Sequence, residues 1–349
     1  MKKKGFVTIK DIAKELGLST STVSRALRDQ PDVSSVTKAN VLELAEKWNY
    51  RRNLLAANMS EQRTGLIGVI IPTFAGHFFS RIISGIQEYA FKEGFRTIFS
   101  ESRHLAERER MDTFAMLSVR VDGMIVASAV NPEENKDYFD EVLELEVPFV
   151  MVDLECEGLA APIVKIDDFR AAYEATEYLI KSGCRKLAHF GGQLNQSIPK
   201  ERKAGFIEAL KTYQLPIKEE WLLEVGYEIE PSQVAMEKIL SDGGDYPDGI
   251  LAVSDRAVYG AMQPIKAKGL RIPEDISLIG FSDNPLSTLI DPKISSVSQP
   301  AHEMGMKAVS LIVESLNEKT SLKGYKPYIF DTELILRETT KPLKKVFQS

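Results

Sequence analysis

A chain of 349 residues is too long for one ordinary core and calls for two or three folding units. Hydrophobic residues at 44% and charged residues at 27% describe a soluble globular protein, and no apolar run is long enough to span a bilayer, which excludes an integral membrane protein. Charge is uneven: residues 1–60 hold eleven Lys and Arg against six Asp and Glu, a net of +5, so the remainder carries −11 of an overall −6. A basic head on an acidic body suits a polyanionic partner for the head alone.

The start, MKKKGFVTIKDIAKELG, follows its lysines with an alternating pattern and lacks the continuous apolar stretch that export needs, so a cytoplasmic location is expected. Cys156 and Cys184 lie far apart without a CxxC motif, which predicts two free thiols.

In chain order, Thr8 and Asp11 form a capping-box-like start, and Ile9, Ile12, Ala13 and Leu16 fall at helical spacing up to Gly17. Ser19 can cap a second helix whose inner face is Val23, Ala26 and Leu27, with Leu18 and Val23 as a hydrophobic staple. The short turn between the two predicts a helix-turn-helix. A third helix opens near Ser34 to Thr37 and offers Val41, Leu44, Ala45 and Trp48 to the same small core. This helical headpiece is assigned to residues 1–50, and RRNLLAANMSEQRTG after Tyr50 reads as a linker with a short hinge helix over 51–64.

From Gly65 onward, apolar runs alternate with amphipathic helical stretches: GLIGVII, FRTIFS, GMIVAS, PFVMVD, KLAHFGG, GILAVS and ISLIGF are the strand candidates. That rhythm predicts parallel sheets with helical crossovers. The expected fold class is therefore an α-helical DNA-binding head followed by an α/β core of two lobes. The N-lobe is placed at about 65–166 and 300–325 and the C-lobe at about 167–299 and 326–340, with no exact internal repeat visible.

Fixing Val23, Ala26 and Leu27 inward turns Thr20, Ser21, Ser24, Arg25 and Arg28 outward at the start of the second helix, where base edges are met. Arg25 can donate a bidentate pair to guanine, Ser21 can bond several bases, and the Thr20 methyl can touch thymine. Ser24 suits phosphate oxygens. On one isolated helix the same residues would be ordinary solvated side chains.

In the core, small molecules bind beyond the carboxyl ends of parallel strands. Candidates placed there are Phe78 and Phe79 after GVIIP, Asp153 after PFVMV, Ser254 and Asp255 after LAV, Ser282 after LIGF, and Gln299 in SSVSQP. Arg202, near a helix start, can make bidentate bonds to hydroxyl pairs or carboxylates. Core packing for a phenylalanine, helix capping for Ser254-Asp255 and Ser282-Asp283, and a surface ion pair for Arg202 are the competing readings.

The run from Asp11 to Arg25, DIAKELGLSTSTVSR, followed by VSSVTKANVLELAEKWNY, resembles the LacI family of lactose-repressor and galactose-repressor type regulators, and the resemblance spans essentially the whole chain. It implies that Thr20, Ser21 and Arg25 read bases and that a homodimer binds a pseudopalindromic double-stranded DNA operator. It further implies that Asn53, Ala56 and Met59 of the hinge contact DNA, Met59 as a minor-groove wedge. The family's Y-x-P-N-x-x-A-x-x-L is here Tyr50-Arg51-Arg52-Asn53-Leu54-Leu55-Ala56-Ala57-Asn58-Met59, with Arg52 for the proline and Met59 for the leucine. The effector-binding arginine maps onto Arg202 through Arg202, Gly205 and Phe206. Ser254 stands where Asn is common, Ser282 where Asp is common, and Gly76-His77 precede Phe78-Phe79 in place of Asn-Pro. The implied effector is a sugar or sugar derivative of unspecified charge.

No HExxH, G-x-S-x-G or GxxxxGK[ST] motif occurs, so neither catalysis, metal nor cofactor is expected. An exported sugar-binding protein would suit the core but not the head, and an enzyme on a doubly wound fold would need a phosphate loop or an acid–base cluster.

Overall fold

The computed structural model describes residues 7–50, 63–128, 132–154, 156, 158–194, 197–241, 245–322, 324 and 326–343. The chain divides into two compact units, Met1–Thr64 and Gly65–Ser349.

The first unit holds α1 (Ile9–Leu16), α2 (Thr20–Leu27) and α3 (Ser35–Lys47). Each start is capped. Thr8 accepts from the Asp11 amide while the Asp11 carboxylate accepts from the Thr8 amide, Ser19 accepts from Thr22 N at 3.0 Å, and Ser34 from Thr37 N at 3.2 Å. Gly17 ends α1 in the left-handed region at φ 65°, a conformation that costs glycine nothing and sets the tight turn into α2. Ile12, Val23 and Val41 are fully buried, one from each helix, with Ala13, Ala26 and Ala45 between them and Leu44, Trp48 and Tyr50 at the edge. One apolar stripe per short helix thus suffices for a common core.

The second unit is built on two six-stranded sheets. The N-lobe sheet contains β1 (Leu66–Ile71), β2 (Arg96–Glu101), β3 (Gly123–Val126), β4 (Phe149–Val152), β5 (Ile163–Ile166) and β11 (Tyr328–Phe330), in the order β11-β5-β4-β3-β1-β2. The C-lobe sheet contains β6 (Leu187–Gly191), β7 (Leu222–Glu224), β8 (Gly249–Ala252), β9 (Ser277–Phe281), β10 (Ser295–Ser298) and β12 (Glu333–Ile335), in the order β12-β10-β9-β8-β6-β7. The two orders correspond strand for strand, an internal duplication the sequence did not reveal. Pairings are parallel, except that β12 runs antiparallel to β10. Strands buried on both faces explain the continuous apolar runs.

The chain crosses between lobes three times, at residue 167, at 299–300 and at 331–332. The third crossing corrects the expected boundary: residues 328–330 pair with Val164–Ile166 and belong to the N-lobe, because Tyr-Ile-Phe continues that sheet before the chain turns. The C-lobe's last segment begins only with β12.

Helices cover both sheets: α4 (His77–Lys92), α5 (Ala106–Ser118), α6 (Lys136–Glu144), α7 (Asp168–Lys181), α8 (Ser197–Thr212), α9 (Ile229–Ser241), α10 (Asp255–Ala267) and α11 (Ala301–Glu318). Three pairs, α4 with α11, α7 with α8, and α9 with α10, press backbone to backbone. A Cβ on Gly305 would lie 2.2 Å from the Ile82 carbonyl oxygen, one on Gly205 2.1 Å from that of Phe169, and one on Gly260 2.2 Å from that of Ile229. These glycines set the interhelical distances. Among the described residues, no helix is long and apolar enough to cross a membrane.

Candidate functional site

In the first unit, Thr20, Ser21 and Arg25 are exposed at the start and along the outer face of α2, opposite the buried Val23 and Ala26. Ser24 and Arg28 are half-buried, so two of the five side chains read as outward lie on the flank. A helix of this length has a narrow outer face, and its neighbours cover the flanks. Arg25 Nη1 meets Asp32 Oδ2 at 2.6 Å with both side chains about half exposed, at 50% and 51%. Such a surface pair is weak and exchangeable, so it holds the guanidinium extended at little cost to a competing partner. Asn53, Ala56 and Met59 lie outside the described residues.

In the second unit, a cleft of about 220 Å³ opens where the strand ends of the two sheets face each other. Phe78, Phe79, Asp153, Arg202, Ser254, Asp255, Ser282 and Gln299 all line it. Parallel strands explain this convergence, because their carboxyl ends point the same way and the following loops gather at one edge. Asp153 directly follows β4, Ser254 and Asp255 follow β8, Ser282 follows β9, and Gln299 follows β10.

At the cleft's floor Arg202, only 4% exposed, donates from Nε to Asp168 Oδ1 at 2.7 Å and from Nη1 to the Val253 carbonyl at 2.9 Å. Its guanidinium carbon sits 3.9 Å from the centroid of the Phe281 ring. The surface ion pair considered for Arg202 is thus a buried one. Asp168, 1% exposed, opens α7 immediately after the first lobe crossing, so the pair joins α7, α8 and the end of β8. Burial drives the Asp168 carboxyl upward in pKa, and Arg202 opposes that drift.

Asp153 occupies the left-handed region at φ 68° and is 9% exposed. Its carboxyl makes no hydrogen bond with any described residue. Burial, reinforced by the Asp168 charge, pushes its pKa up to about 7 against the pull of Arg202 and Lys165. Ser282 has φ 87°. Non-glycine residues held in this region at strand ends are strained, and such strain concentrates at functional sites.

Ser254 does cap α10, accepting from Ala257 N at 3.2 Å, yet it still faces the cleft. Capping and lining are compatible. Asp255 accepts from Ser296 Oγ at 2.6 Å and from Asn284 N at 2.5 Å, and burial raises its pKa to about 6 despite those bonds. Ser282 donates to Gln299 Oε1 at 2.9 Å, linking β9's end to the second lobe crossing. Phe78 and Phe79 are half-buried, their rings 5.3 Å apart edge to face, so both the core and the cleft use them.

Several lining residues escaped the sequence reading. Tyr227 and Glu228 follow β7, whose polar-edged LLE gives no strand signal, and His104 follows β2. Arg256, in the second position of α10, pairs with Glu228. His77 and His104 have lowered pKa values, chiefly because burial disfavours the imidazolium. His189, buried behind Arg202 on β6, is held neutral by burial and by Lys203 and Arg202, with a pKa of about 3. Among the described residues, no group of three His, Cys, Asp or Glu side chains gathers to hold a metal ion.

A helix-turn-helix unit combined with a two-sheet core of this topology defines a DNA-binding transcriptional regulator with a periplasmic-binding-protein-like core. Residues 8–53 match the bacterial regulatory proteins of the lacI family, and residues 176–340 match the periplasmic binding protein-like domain. The chain is 32% identical to catabolite control protein A of Priestia megaterium over 90% of this chain and 94% of that one. It is 29% identical to the HTH-type transcriptional repressor PurR of Vibrio vulnificus over 97% of this chain and all of that one. The chain belongs to the LacI family.

Among solved structures, the lac repressor dimer bound to operator and the anti-inducer ONPF superposes with a TM-score of 0.86 at 25% identity, covering 97% of this chain and 100% of that one. The complex of the transcriptional regulator CelR with cellobiose gives 0.70 at 25% identity, covering 95% and 99%.

Proposed function

We propose that this protein is a homodimeric repressor of carbohydrate-utilisation genes, which binds a pseudopalindromic operator and is controlled by a sugar or sugar derivative held in the cleft. The observation that carries the effector assignment is the composition of that cleft. The rings of Phe78 and Phe79 offer apolar surface, while Asp153, Arg202 and Gln299 sit beside them as nearly buried polar groups. A sugar ring has the same division, with an apolar face and a rim of hydroxyls that must be paired once out of water. The cellobiose complex of a similar regulator supports a saccharide, and the operator-bound dimer of another supports the assembly.

On the head, Thr20, Ser21 and Arg25 are the base-reading residues, with Ser24 and Arg28 at the phosphates on the flanks. The hinge assignment, with Asn53, Ala56 and Met59 at the minor groove, rests on the resemblance of residues 50–59 to the family pattern. The setting is the cytoplasm, on the nucleoid, and no cofactor takes part. Ligand binding favours one arrangement of the lobes, and linkage then requires ligand and operator to change each other's affinity by the same factor.

The test is selection of DNA sites from a random pool with the full chain, followed by titration of the selected site while a sugar library is screened by thermal shift. A two-fold symmetric site, released or tightened by a sugar that also stabilises the protein, is expected. Asymmetric sites, or a stabilising sugar that leaves DNA affinity unchanged, would refute the reading.

A further inference from the structure

Past the end of α2 the chain turns back on Arg25. The amides of Arg28 and Gln30 both donate to the Arg25 carbonyl, at 3.2 and 3.1 Å, and Val33 N donates to the Gln30 carbonyl at 3.3 Å. Gln30-Pro31-Asp32-Val33 is therefore a β-turn with proline in second place, where its fixed φ suits the bend. The turn is tied down on both sides. Val33, 8% exposed, lies in the core of the head, and Lys38 of α3 donates to the Asp29 carboxylate at 2.7 Å and to the Asp29 carbonyl at 3.2 Å. Asp32, third in the turn, is thus placed by the backbone, and its Oδ2 meets Arg25 Nη1 at 2.6 Å.

That contact engages one nitrogen of the guanidinium. Among the described residues the Arg25 side chain makes no other hydrogen bond, so its Nε–Nη2 edge is left for a partner, and such an edge can lie against guanine O6 and N7. The pair also carries no net charge. A bare arginine on this face would be drawn to any phosphate, whereas a neutralised one gains little from the DNA backbone and is best satisfied by a base edge. With both side chains half exposed the contact adds little to folding; once DNA excludes water from them, the lower dielectric strengthens it.

Resting on the assignment of Arg25 to base reading, we propose that Asp32 is a specificity-determining positioning residue, which points the Arg25 guanidinium at a guanine and withholds its charge from the phosphates. Asp32 acts through Arg25 and need touch no base itself. A long side chain loses rotamer freedom when it docks, and a carboxylate that has already restricted it lowers that cost at the correct base. On random DNA the same carboxylate is repelled by the phosphates. Discrimination therefore rises from both sides, with the selected site tightened and other DNA loosened.

The test uses the full chain. Site selection from a random pool with the parent and with Arg25→Ala locates the base pair that Arg25 reads. Asp32→Asn is then carried through the same selection and through titrations of the selected site and of random duplex over a range of salt. Expected are a loss of preference confined to that base pair, a selected site bound about fivefold to tenfold more weakly, random duplex bound at least as tightly as by the parent, and a salt slope on random duplex steeper by about one. In an Arg25→Ala background Asp32→Asn should no longer weaken the selected site, because nothing is left for it to position. Asp32→Ser, equally suited to a turn, repeats the measurement with a second neutral residue, and Trp48 fluorescence in a Trp221→Phe background should show both variants folded. Equal weakening on both DNAs, an unchanged base preference, or a loss that persists in the Arg25→Ala background overturns the role of Asp32 and leaves the base-reading assignment intact. An Arg25→Ala protein that keeps every base preference overturns that assignment and this inference with it.

Discussion

Replacing Arg202 with methionine tests the buried pair on which the cleft floor rests. The substitution preserves most of the side chain's volume but leaves Asp168, 1% exposed, without its counter-charge at 2.7 Å. It also removes the hydrogen bond to the Val253 carbonyl and the cation stacked on Phe281. Breaking a buried ion pair from one side costs about 3–5 kcal/mol, so a loss of about 4 kcal/mol is expected, a factor of about a thousand in the folding equilibrium. The double variant Arg202→Met with Asp168→Asn removes both charges and should recover all but about 1–2 kcal/mol of that loss. The chain's two tryptophans make the measurement direct: Trp48 belongs to the head and Trp221 is buried in the C-lobe. In a Trp48→Phe background, urea unfolding followed by fluorescence reports the core alone. The deficit of the single variant should shrink as pH falls toward the ordinary aspartate range, because Asp168 is then protonated in folded and unfolded chains alike. A loss below about 1 kcal/mol, or a double variant no more stable than the single one, would refute the reasoning.

The remaining predictions address other levels of the structure. Asp153→Asn should stabilise the core at pH 8 by up to about 4 kcal/mol and leave it unchanged near pH 3, since a carboxyl raised from 3.8 to about 7 makes stability fall as pH rises between those values; parallel curves for the two proteins would refute this. Gly305→Ala should separate α4 from α11, because the new Cβ would lie 2.2 Å from the Ile82 oxygen, and a melting temperature within 1 °C of the parent's would count against that close packing. Ser19→Ala should cost the head about 1 kcal/mol through loss of the α2 cap, read from Trp48 fluorescence in a Trp221→Phe background. Arg25→Ala should weaken the selected operator by about 1–3 kcal/mol while changing random DNA far less, and equal weakening of both would remove Arg25 from base reading.

How far the sequence could be read depended on whether a segment's environment was local. GLIGVII, GMIVAS and PFVMVD declare themselves because strands buried on both faces need apolar residues throughout. β10 did not, since SSVS carries three serines in four positions. Its fully buried Ser295 and Ser296 are tolerable only because Thr340 and Asp255 complete their hydroxyl bonds, and neither partner is near in sequence. β11 and β12 are short, and which sheet each joins follows from where the chain turns at 331–332. The cleft was legible for a different reason: in parallel sheets a residue just past a strand faces the ligand edge, so locating a strand locates a lining position. Where a strand was missed, as at β7, its lining residues Tyr227 and Glu228 were missed with it. Asp168 resembles any carboxylate in the first turn of a helix, and its role depends on Arg202 arriving from another helix.

The crossings connect cleft chemistry to lobe movement. Gln299 lies on the second crossing and accepts a hydrogen bond from Ser282 in the C-lobe, while Asp168 begins α7 directly after the first crossing and holds Arg202. A ligand touching Arg202 and Gln299 therefore bears on two of the three connections at once. Within each lobe, the glycine-mediated contacts of α4 with α11, α7 with α8 and α9 with α10 leave little room for helices to slide. The third crossing lacks a comparable anchor in the cleft, since Asp331 is 98% exposed and meets Arg170 only at 3.8 Å. A change in lobe arrangement would have to be accommodated at the crossings and in the buried apolar cluster that residues of both lobes share, since the helix pairs inside each lobe are locked. Cleft residues on, or bonded to, two of those crossings are therefore placed where a ligand that binds two lobe arrangements unequally would shift the equilibrium between them.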